Sequence, residues 1–386
     1  MPPIFAIRHL VNTPDGLLPI TAERGRLLLP GSADSKDSCL SYGPYLDAIS
    51  QFLSNDSYHA LQTVLSRHLQ RSVSLHDIKR VELISEKHGA FYHVVRVKAQ
   101  LANEWCSFAV NVAVQPEQQA FLENEYELLR ELRRSFEHTF LPVPYLKGET
   151  SYYDQPNGHL KLKLFVAGWF EDYREFHLSS HEDATIPVIQ VWDSGPTRTS
   201  LNEEQCFSLY SRAAAILTYY LDARSFQQIY PWHHAAGDFV VKPRGRDVDL
   251  RLITVRDYRC LLPPGPNFKN VWIAVVHFFL NLSLRMRLDR LDGTGELSWA
   301  DADSLHGVLA GFLQSWNQKA LKHPHLPSSS EVLSVLRSFS PQEWLPLAQL
   351  VMEDGLVEAD EIKFLNPRLR DHIAAVTQAV NEEVKS

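Results

Sequence analysis

Cysteine is scarce in this chain of 386 residues, and no two cysteines lie close enough to form a CxxC pair. The four are Cys39, Cys106, Cys206 and Cys260. Zinc knuckles and redox dithiols both depend on paired cysteines at short spacing, so the sequence excludes these two kinds of site. We expect reduced thiols that are buried or incidental.

Long hydrophobic runs are also missing. The most apolar segment, Val271 to Leu284, is interrupted by His277, Asn281 and Ser283, and it is shorter than the about 20 apolar residues that cross a bilayer. It predicts a buried helix and no membrane association. The first residues are broken by prolines and by Arg8, without the apolar stretch of a secretory signal, which predicts a cytoplasmic protein.

A basic excess is absent as well. The chain has 38 Lys and Arg against 46 Asp and Glu, a formal net charge of −8, so counterion release offers no drive for nucleic-acid binding. With 45% hydrophobic and 22% charged residues, the composition is typical of a globular protein. The length predicts two folded units, or one bilobal unit with an extension.

Residues 1–77 are predicted to form an N-terminal extension. Residues 1–43 contain scattered Pro, Gly, Ser and Asp without sustained periodicity, which predicts an irregular arm. Two helices are expected next, over Tyr45–Leu53 and Ser57–Leu69, because apolar residues recur there at helical spacing.

Residues 78–167 predict a small lobe built from three antiparallel strands, one helix and two further strands. The hydrophobic period changes to two over the first three strands, and Pro116 suits the first turn of the helix that follows. The predicted strands are Lys79–Ile84, Phe91–Lys98, Cys106–Val114, Tyr145–Tyr153 and Leu160–Val166.

Residues 168–386 predict a larger helical lobe interrupted by one β-hairpin. The hairpin strands, Asp238–Lys242 and Leu250–Val255, flank a turn with Pro, Gly and Asp, and the whole loop and hairpin covers 231–258. The predicted helices are Asn202–Asp222, Val271–Leu291, Ala300–Leu321, Ser330–Phe339, Pro341–Met352 and Pro367 to about Val384. The fold class is therefore predicted as α+β and bilobal.

This order of elements resembles the protein-kinase-like fold, specifically the branch of aminoglycoside and choline phosphotransferases, over roughly residues 78–385. The resemblance implies ATP and magnesium as cofactors and a hydroxyl of a small molecule as the substrate. It also implies that the loop Glu86–Ala90, with its single Gly89, covers the nucleotide phosphates.

The same resemblance assigns a phosphate-binding lysine to the third strand, paired with a glutamate on the next helix. Here Asn111 stands at the lysine position and Glu125 at the glutamate position. Asparagine can donate a hydrogen bond to a phosphate but supplies no charge. Lys98 or Lys163 is the candidate for replacing that charge.

By the same resemblance, residues 230–241 correspond to the catalytic loop of these phosphotransferases. Counted back from the hairpin, Asp238 stands at the position of the metal-binding asparagine and His233 at the position of the aspartate base. Asp257, followed by Tyr258, matches the second metal-binding aspartate. Both carboxylates are expected to meet at one metal, while Arg256 is expected to compete for the neighbouring Asp257.

Three functions remain open from the sequence. The first is an ATP- and magnesium-dependent phosphotransferase, and the second a catalytically inactive pseudokinase that binds a nucleotide or a protein partner. The third is a metal-dependent hydrolase using His233, His234 and Asp238. Each residue also has a structural interpretation: the histidines as satisfied polar groups in a tight loop, and Asp257 as a cap or ion-pair partner.

Overall fold

The chain divides into two units. A computed structural model describes residues 5–13, 15–30, 40–88, 92–102, 104–154, 158–180, 186–192, 197–233, 237–262, 270–355 and 359–383. The first unit comprises residues 1–171 with 194–196, and the second comprises 172–193 with 197–386. Together the described residues give a mixed α and β architecture, with one large mixed sheet and helices.

The first unit contains a seven-stranded sheet in the order β2-β1-β3-β4-β5-β7-β6. In chain order the elements are β1 (Ala6–Thr13), β2 (Gly16–Pro19), α1 (Tyr42–Leu69), β3 (Arg80–His88), β4 (His93–Gln100), β5 (Trp105–Ala113), α2 (Pro116–Ser135), β6 (Pro144–Asp154) and β7 (Gly158–Gly168). The predicted succession of three strands, one helix and two strands is confirmed as β3, β4, β5, α2, β6 and β7. These strands pair antiparallel, whereas β1 and β3 run parallel.

Helices α1 and α2 pack on opposite faces of the sheet. Leu162, Leu164 and Val166 of β7 belong to the buried cluster that includes the apolar side of α1. Phe165 points the other way, since side chains alternate along a strand, and its ring lies 5.9 Å from that of Tyr126 on α2. The period of two in the sequence therefore marks a sheet covered on both faces.

Helix α1 is two helical segments joined by a break. Asn55 leaves the helical region, and Asp56, Ser57 and Tyr58 have φ angles of 48°, 57° and 64°. The predicted division into two helices is confirmed. Left-handed backbone at three successive residues other than glycine is unfavourable. At the end of this break, the ring of Tyr58 packs with its centroid 4.9 Å from that of Phe5.

The prediction of an irregular arm over residues 1–43 is wrong for the part that forms β1 and β2. Strand β1 pairs parallel with β3 from Ala6 opposite Arg80 onward, so it extends the sheet. Its face towards α1 carries a polar residue, because His9 forms a 2.7 Å hydrogen bond between Nε2 and the hydroxyl of Ser50. That histidine interrupts the alternation of apolar residues by which strands are recognised.

The second unit is mainly helical, as predicted, but it holds more strands than the one predicted hairpin. Its strands are β8 (Phe176–Ser179), β9 (Val188–Trp192), β10 (Arg198–Ser200), β11 (Gln227–Ile229), β12 (Phe239–Arg244), β13 (Asp247–Leu252), β14 (Tyr258–Cys260), β15 (Leu288–Arg290) and β16 (Leu297–Trp299). The predicted hairpin is confirmed as β12 and β13. The other strands are only three to five residues long, too short for a periodic signal.

The helices of the second unit are α3 (Glu203–Tyr219), α4 (Val271–Arg285), α5 (Ser304–Lys322), α6 (Ser329–Ser338), α7 (Pro341–Gly355), α8 (Ala359–Leu365) and α9 (Leu369–Glu382). Helix α4 is buried from Ala274 to Arg285, which confirms the predicted buried helix. Helix α8 was not predicted. Among the described residues, no helix has the length and apolar character that crossing a bilayer requires.

Candidate functional site

Asp238 lies directly before β12, where the hairpin holds it opposite the chain that leaves β13. Its carbonyl oxygen accepts a 2.8 Å hydrogen bond from the backbone N–H of Ile253, next to the first ladder pair, Phe239 with Leu252. Antiparallel pairing therefore keeps the segment before β12 beside the segment after β13. Arg256 lies on that second segment.

The carboxylate of Asp238 is buried and fully engaged. Its residue is only 1% exposed. Arg256 donates Nη1 to Oδ2 at 2.5 Å and Nη2 to Oδ1, a bidentate pair. The backbone N–H of His233 donates to Oδ2 at 2.6 Å. Charge-assisted, two-pronged contacts of this kind are among the stronger hydrogen bonds in proteins.

Asp238 does not fit a magnesium ligand in this arrangement. Magnesium needs carboxylate lone pairs directed at it at about 2.0–2.1 Å, and both Asp238 oxygens face the cationic guanidinium of Arg256 instead. The described part of the chain also holds no group of three His, Cys, Asp or Glu side chains suited to a metal. The sequence predicts that Arg256 competes for Asp257, but in the structure the Arg256 guanidinium pairs with Asp238.

Asp257 is more open than Asp238. Its side chain is 41% exposed, and its Oδ2 lies 3.5 Å from Nε of Arg259. Oδ1 accepts a 2.7 Å hydrogen bond from the backbone N–H of Tyr258. Within the described residues, no hydrogen bond or ion pair connects Asp257 to Asp238, so their predicted meeting at one metal stays a prediction.

His233 lies between two buried carboxylates. Its Nδ1 is 3.9 Å from Oδ2 of Asp238, and its Nε2 is 3.6 Å from Oε1 of Glu361. Nη2 of Arg285 lies 3.5 Å from the same Nε2. The imidazole is 34% exposed, more than the other charged side chains around it. His234 lies outside the described residues.

Arg285 and Glu361 complete the cluster, and sequence reasoning missed both. Arg285 is 2% exposed, donates Nε to the carbonyl of Trp232 at 3.2 Å, and stacks 5.3 Å from the ring of Tyr230. Burial alone would raise the pKa of Glu361, but the contact with His233 and the charge of Arg285 lower it. An arginine inside an apolar helix was a usable signal of a buried partner, whereas Glu361 carried none.

A further buried acid, Asp289, lies on β15. It is 4% exposed, and its Oδ2 accepts a 2.8 Å hydrogen bond from the backbone N–H of Leu178. Burial raises its pKa to about 6, against the opposing influence of that hydrogen bond and of His177 and His233. This carboxyl therefore titrates closer to neutrality than an exposed aspartate.

Asn111 lies on β5 in the first unit, half-buried and between Val94 and Phe165 in the ladder. Lys98 lies on β4 four positions after Val94, the partner of Asn111, and pairs with Ser107 of β5. At 3.3 Å per residue, four positions along a strand correspond to about 13 Å. The Lys98 ammonium lies 5.0 Å from the ring of Trp105. This stacking does not direct its charge towards Asn111.

The helix glutamate Glu125 is buried on α2, 2% exposed. Ion pairs between the sheet and α2 include Lys163 Nζ of β7 with Oε1 of Glu123 and Lys147 Nζ of β6 with Oε1 of Glu127, each at 2.8 Å. Gly89 lies outside the described residues, so the predicted nucleotide loop stays a prediction.

Comparisons with known proteins place few constraints on the function. No protein-family model matches the chain, and no curated protein matches it. One similar solved structure is a "putative fructosamine-3-kinase" from Haemophilus somnus 129PT, with 9% identity and a TM-score of 0.28, over 83% of this chain and 96% of that one. A likeness at that level carries no weight for fold or function.

Proposed function

We propose that this chain is a catalytically inactive pseudokinase, a protein with a kinase-like order of elements that acts by binding a nucleotide or a protein partner. The order β3, β4, β5, α2, β6 and β7, followed by a helical unit with the hairpin β12–β13, supports the kinase-like part. The pairing of Asp238 with Arg256 is the observation that supports the proposal of catalytic inactivity.

That pairing opposes metal-dependent phosphoryl transfer energetically. A divalent ion at Asp238 would have to displace Arg256, so the loss of this bidentate, charge-assisted pair would reduce the free energy of metal binding. Phosphoryl transfer depends on metal ions that bridge the phosphates and neutralise developing charge. Without a free carboxylate at position 238, half of the expected metal-binding pair is lost.

The first unit supports the same conclusion. Asn111 is neutral where the resemblance expects a lysine, and each candidate lysine contacts another side chain. Lys98 stacks on Trp105, and Lys163 is paired with Glu123. We therefore expect the electrostatic stabilisation on which phosphoryl transfer depends to be weakened at positions 111 and 238.

A second candidate is a divergent ATP- and magnesium-dependent phosphotransferase acting on a small-molecule hydroxyl. One observation favours it: the carboxylate of Asp257 and the imidazole of His233 are 41% and 34% exposed. They would supply a metal ligand and a proton acceptor, respectively. In this function Arg256 would have to release Asp238 when the metal binds.

ATP turnover in the presence of MgCl₂ separates the two candidates. The comparison needs the wild-type chain, Asp257→Asn, and Asp249→Asn as a matched control, since Asp249 is a carboxylate on β13 that pairs with Arg251. The pseudokinase proposal expects background turnover in all three. Turnover in the wild type and in Asp249→Asn that disappears in Asp257→Asn would replace it with the phosphotransferase.

Binding provides a second measurement. A ligand that binds only the folded state raises stability by RT ln(1 + [L]/Kd), about 2.7 kcal/mol at one hundred times Kd. If the chain binds ATP as a pseudokinase, the increase in Tm with ATP should be the same in MgCl₂ and in EDTA. An increase that requires MgCl₂ and is lost in Asp238→Asn would contradict the assignment of Asp238 to Arg256.

A further inference from the structure

His372 is a fully buried histidine on α9, with 0% of its surface exposed. Its Nε2 lies 3.1 Å from the hydroxyl of Ser283 on α4. Its Nδ1 lies 3.3 Å from Nη1 of Arg287, in the short segment between α4 and β15. Both nitrogens of one imidazole therefore connect α9 to residues 89 and 85 positions earlier in the chain.

The two partners of His372 fix its protonation state. The Ser283 hydroxyl donates its own hydrogen to the carbonyl of Leu280, at 2.9 Å, so its oxygen accepts from Nε2 of the histidine. A guanidinium only donates, so Nδ1 of His372 accepts from Arg287 and carries no proton. The observed contacts thus require a neutral imidazole with its hydrogen on Nε2.

Arg287 is held beside the imidazole by further contacts. It is buried, and its Nε donates to the carbonyl of Ala300 at 2.9 Å. Its guanidinium carbon lies 4.5 Å from the centre of the Trp299 ring, and that ring meets the His372 imidazole edge-on, with centroids 5.7 Å apart. A second proton on His372 would therefore place two cations against each other inside the protein.

Arg287 keeps its charge at neutral pH. Burial lowers its pKa to about 10, against the opposing influence of Asp301, Tyr210 and Asp371. These three groups act on the arginine, and among the residues that the structure describes no carboxylate forms an ion pair with the imidazole of His372. Protonation of His372 is consequently opposed by burial and by a neighbouring cation.

The helices packed against α9 bring few titratable groups to it. From α5, His306 Nε2 lies 3.0 Å from Oε2 of Glu382, and this contact becomes an ion pair only when the histidine is protonated. From α6, Arg337 donates Nε to the carbonyl of Val380 at 3.0 Å, a bond without a titrating partner. The described acids of α7 are exposed: Glu343 and Glu353.

The docking of α9 must depend on pH for this reason. Burial, and then the charge of Arg287, lower the pKa of His372 to about 3. An undocked α9 returns the imidazole to water, where its pKa is about 6.5. The stabilisation of the docked helix is therefore complete above a pH of about 6.5 and is lost progressively as the pH falls towards 3.

We propose that His372 is a pH-sensitive switch whose protonation releases α9 from Ser283 and Arg287, independently of the proposed pseudokinase function. Between pH 7.5 and pH 5.0 the equilibrium constant for release should rise about 30-fold, because the released imidazole takes up a proton over this range and the docked one does not. Release uncovers apolar side chains of α9 that are now buried, namely Leu369, Ile373, Val376, Ala379 and Val380.

Hydrogen exchange of the full chain at pH 7.5 and pH 5.0 measures the release. Protection factors, corrected for the intrinsic exchange rate at each pH, report the free energy of local opening. They are compared for α9 and for α3, a helix of the same unit. We expect the protection factors of α9 to fall about 30-fold at pH 5.0 and those of α3 to change less.

Three variants assign the effect. His372→Gln retains a donor and an acceptor but takes up no proton in this range, so α9 should be equally protected at both pH values. Arg287→Gln retains a donor towards Nδ1 without the charge, so the fall should be smaller than in the wild type. His306→Gln removes the histidine that approaches α9 from α5; it is the matched control and should keep the full fall. Circular dichroism at both pH values checks each fold.

Four results would overturn the proposal. These are equal protection of α9 at both pH values in the wild type, a fall in α3 as large as that in α9, loss of the pH dependence in His306→Gln, and a wild-type fall in His372→Gln. If His372→Gln does not fold, a wild-type fall in Arg287→Gln counts in its place. None of them bears on ATP turnover or on the nucleotide-dependent Tm, so failure here is distinct from failure of the pseudokinase proposal.

Discussion

Arg256→Gln should destabilise the second unit strongly. The substitution removes both guanidinium donors from Asp238, which is 1% exposed, and among the described residues leaves the N–H of His233, at 2.6 Å, as its hydrogen-bond donor. An uncompensated buried charge of this kind costs about 3–5 kcal/mol. At about 2–4 °C per kcal/mol for a domain of 150–250 residues, Tm should fall by about 6–20 °C.

Urea unfolding followed by tryptophan fluorescence measures the effect, with Arg259→Gln as the control. Arg259 also pairs with an aspartate, Asp257, but 54% of its side chain is exposed, so its loss should cost less than about 1 kcal/mol. The double variant Asp238→Asn/Arg256→Gln should cost less than the sum of the two single variants. Equal losses for Arg256→Gln and Arg259→Gln would refute the importance of the buried pair.

Three further predictions concern stability. The pKa of Asp289 is raised to about 6 in the folded chain. Its contribution to stability is therefore complete below a pH of about 4, the pKa of an unfolded aspartate, and is lost as the pH rises through about 6. Asp289→Asn should therefore increase the free energy of unfolding at pH 8 by up to about 3 kcal/mol more than at pH 4; equal effects at both pH values would contradict this. Ser57→Gly should stabilise the first unit by about 1 kcal/mol in urea unfolding, because Ser57 has a φ of 57°, whereas Ser54→Gly in the preceding helical segment should destabilise it. Tyr230→Phe should be neutral or stabilising by thermal unfolding, because the buried hydroxyl of Tyr230 has no hydrogen-bond partner among the described residues; a loss above about 1 kcal/mol would reveal one.

The sequence predicted elements whose signal is local. The period of two over β3, β4 and β5, and the apolar run of α4, depend on neighbouring residues and were placed correctly. Strand β1 depends on pairing with β3, some 70 positions away, and its polar His9 hid the alternation. Short strands such as β15 have too few residues for any periodic signal.

The candidate site was harder to predict because charge partners are set by the folded chain. Arg256 stands next to Asp257 in the sequence, yet the hairpin brings it to Asp238, 18 positions away. Glu361 approaches His233 from a helix that the sequence did not indicate. The residue types indicated candidate site residues, but strand register and helix packing determine which charged side chains pair with one another.

The addition of β1 and α1 to the first unit makes the strands β3 to β7 dependent on the residues before them. A chain shortened to begin at Ile78 would leave β3 as an open edge, with backbone N–H and C=O groups that now pair with β1. It would also uncover the apolar surface that α1 shields, including Val95 and Val97. Such a fragment should self-associate edge to edge and precipitate, which identifies the N-terminal segment as the part of the chain that keeps this sheet from aggregating.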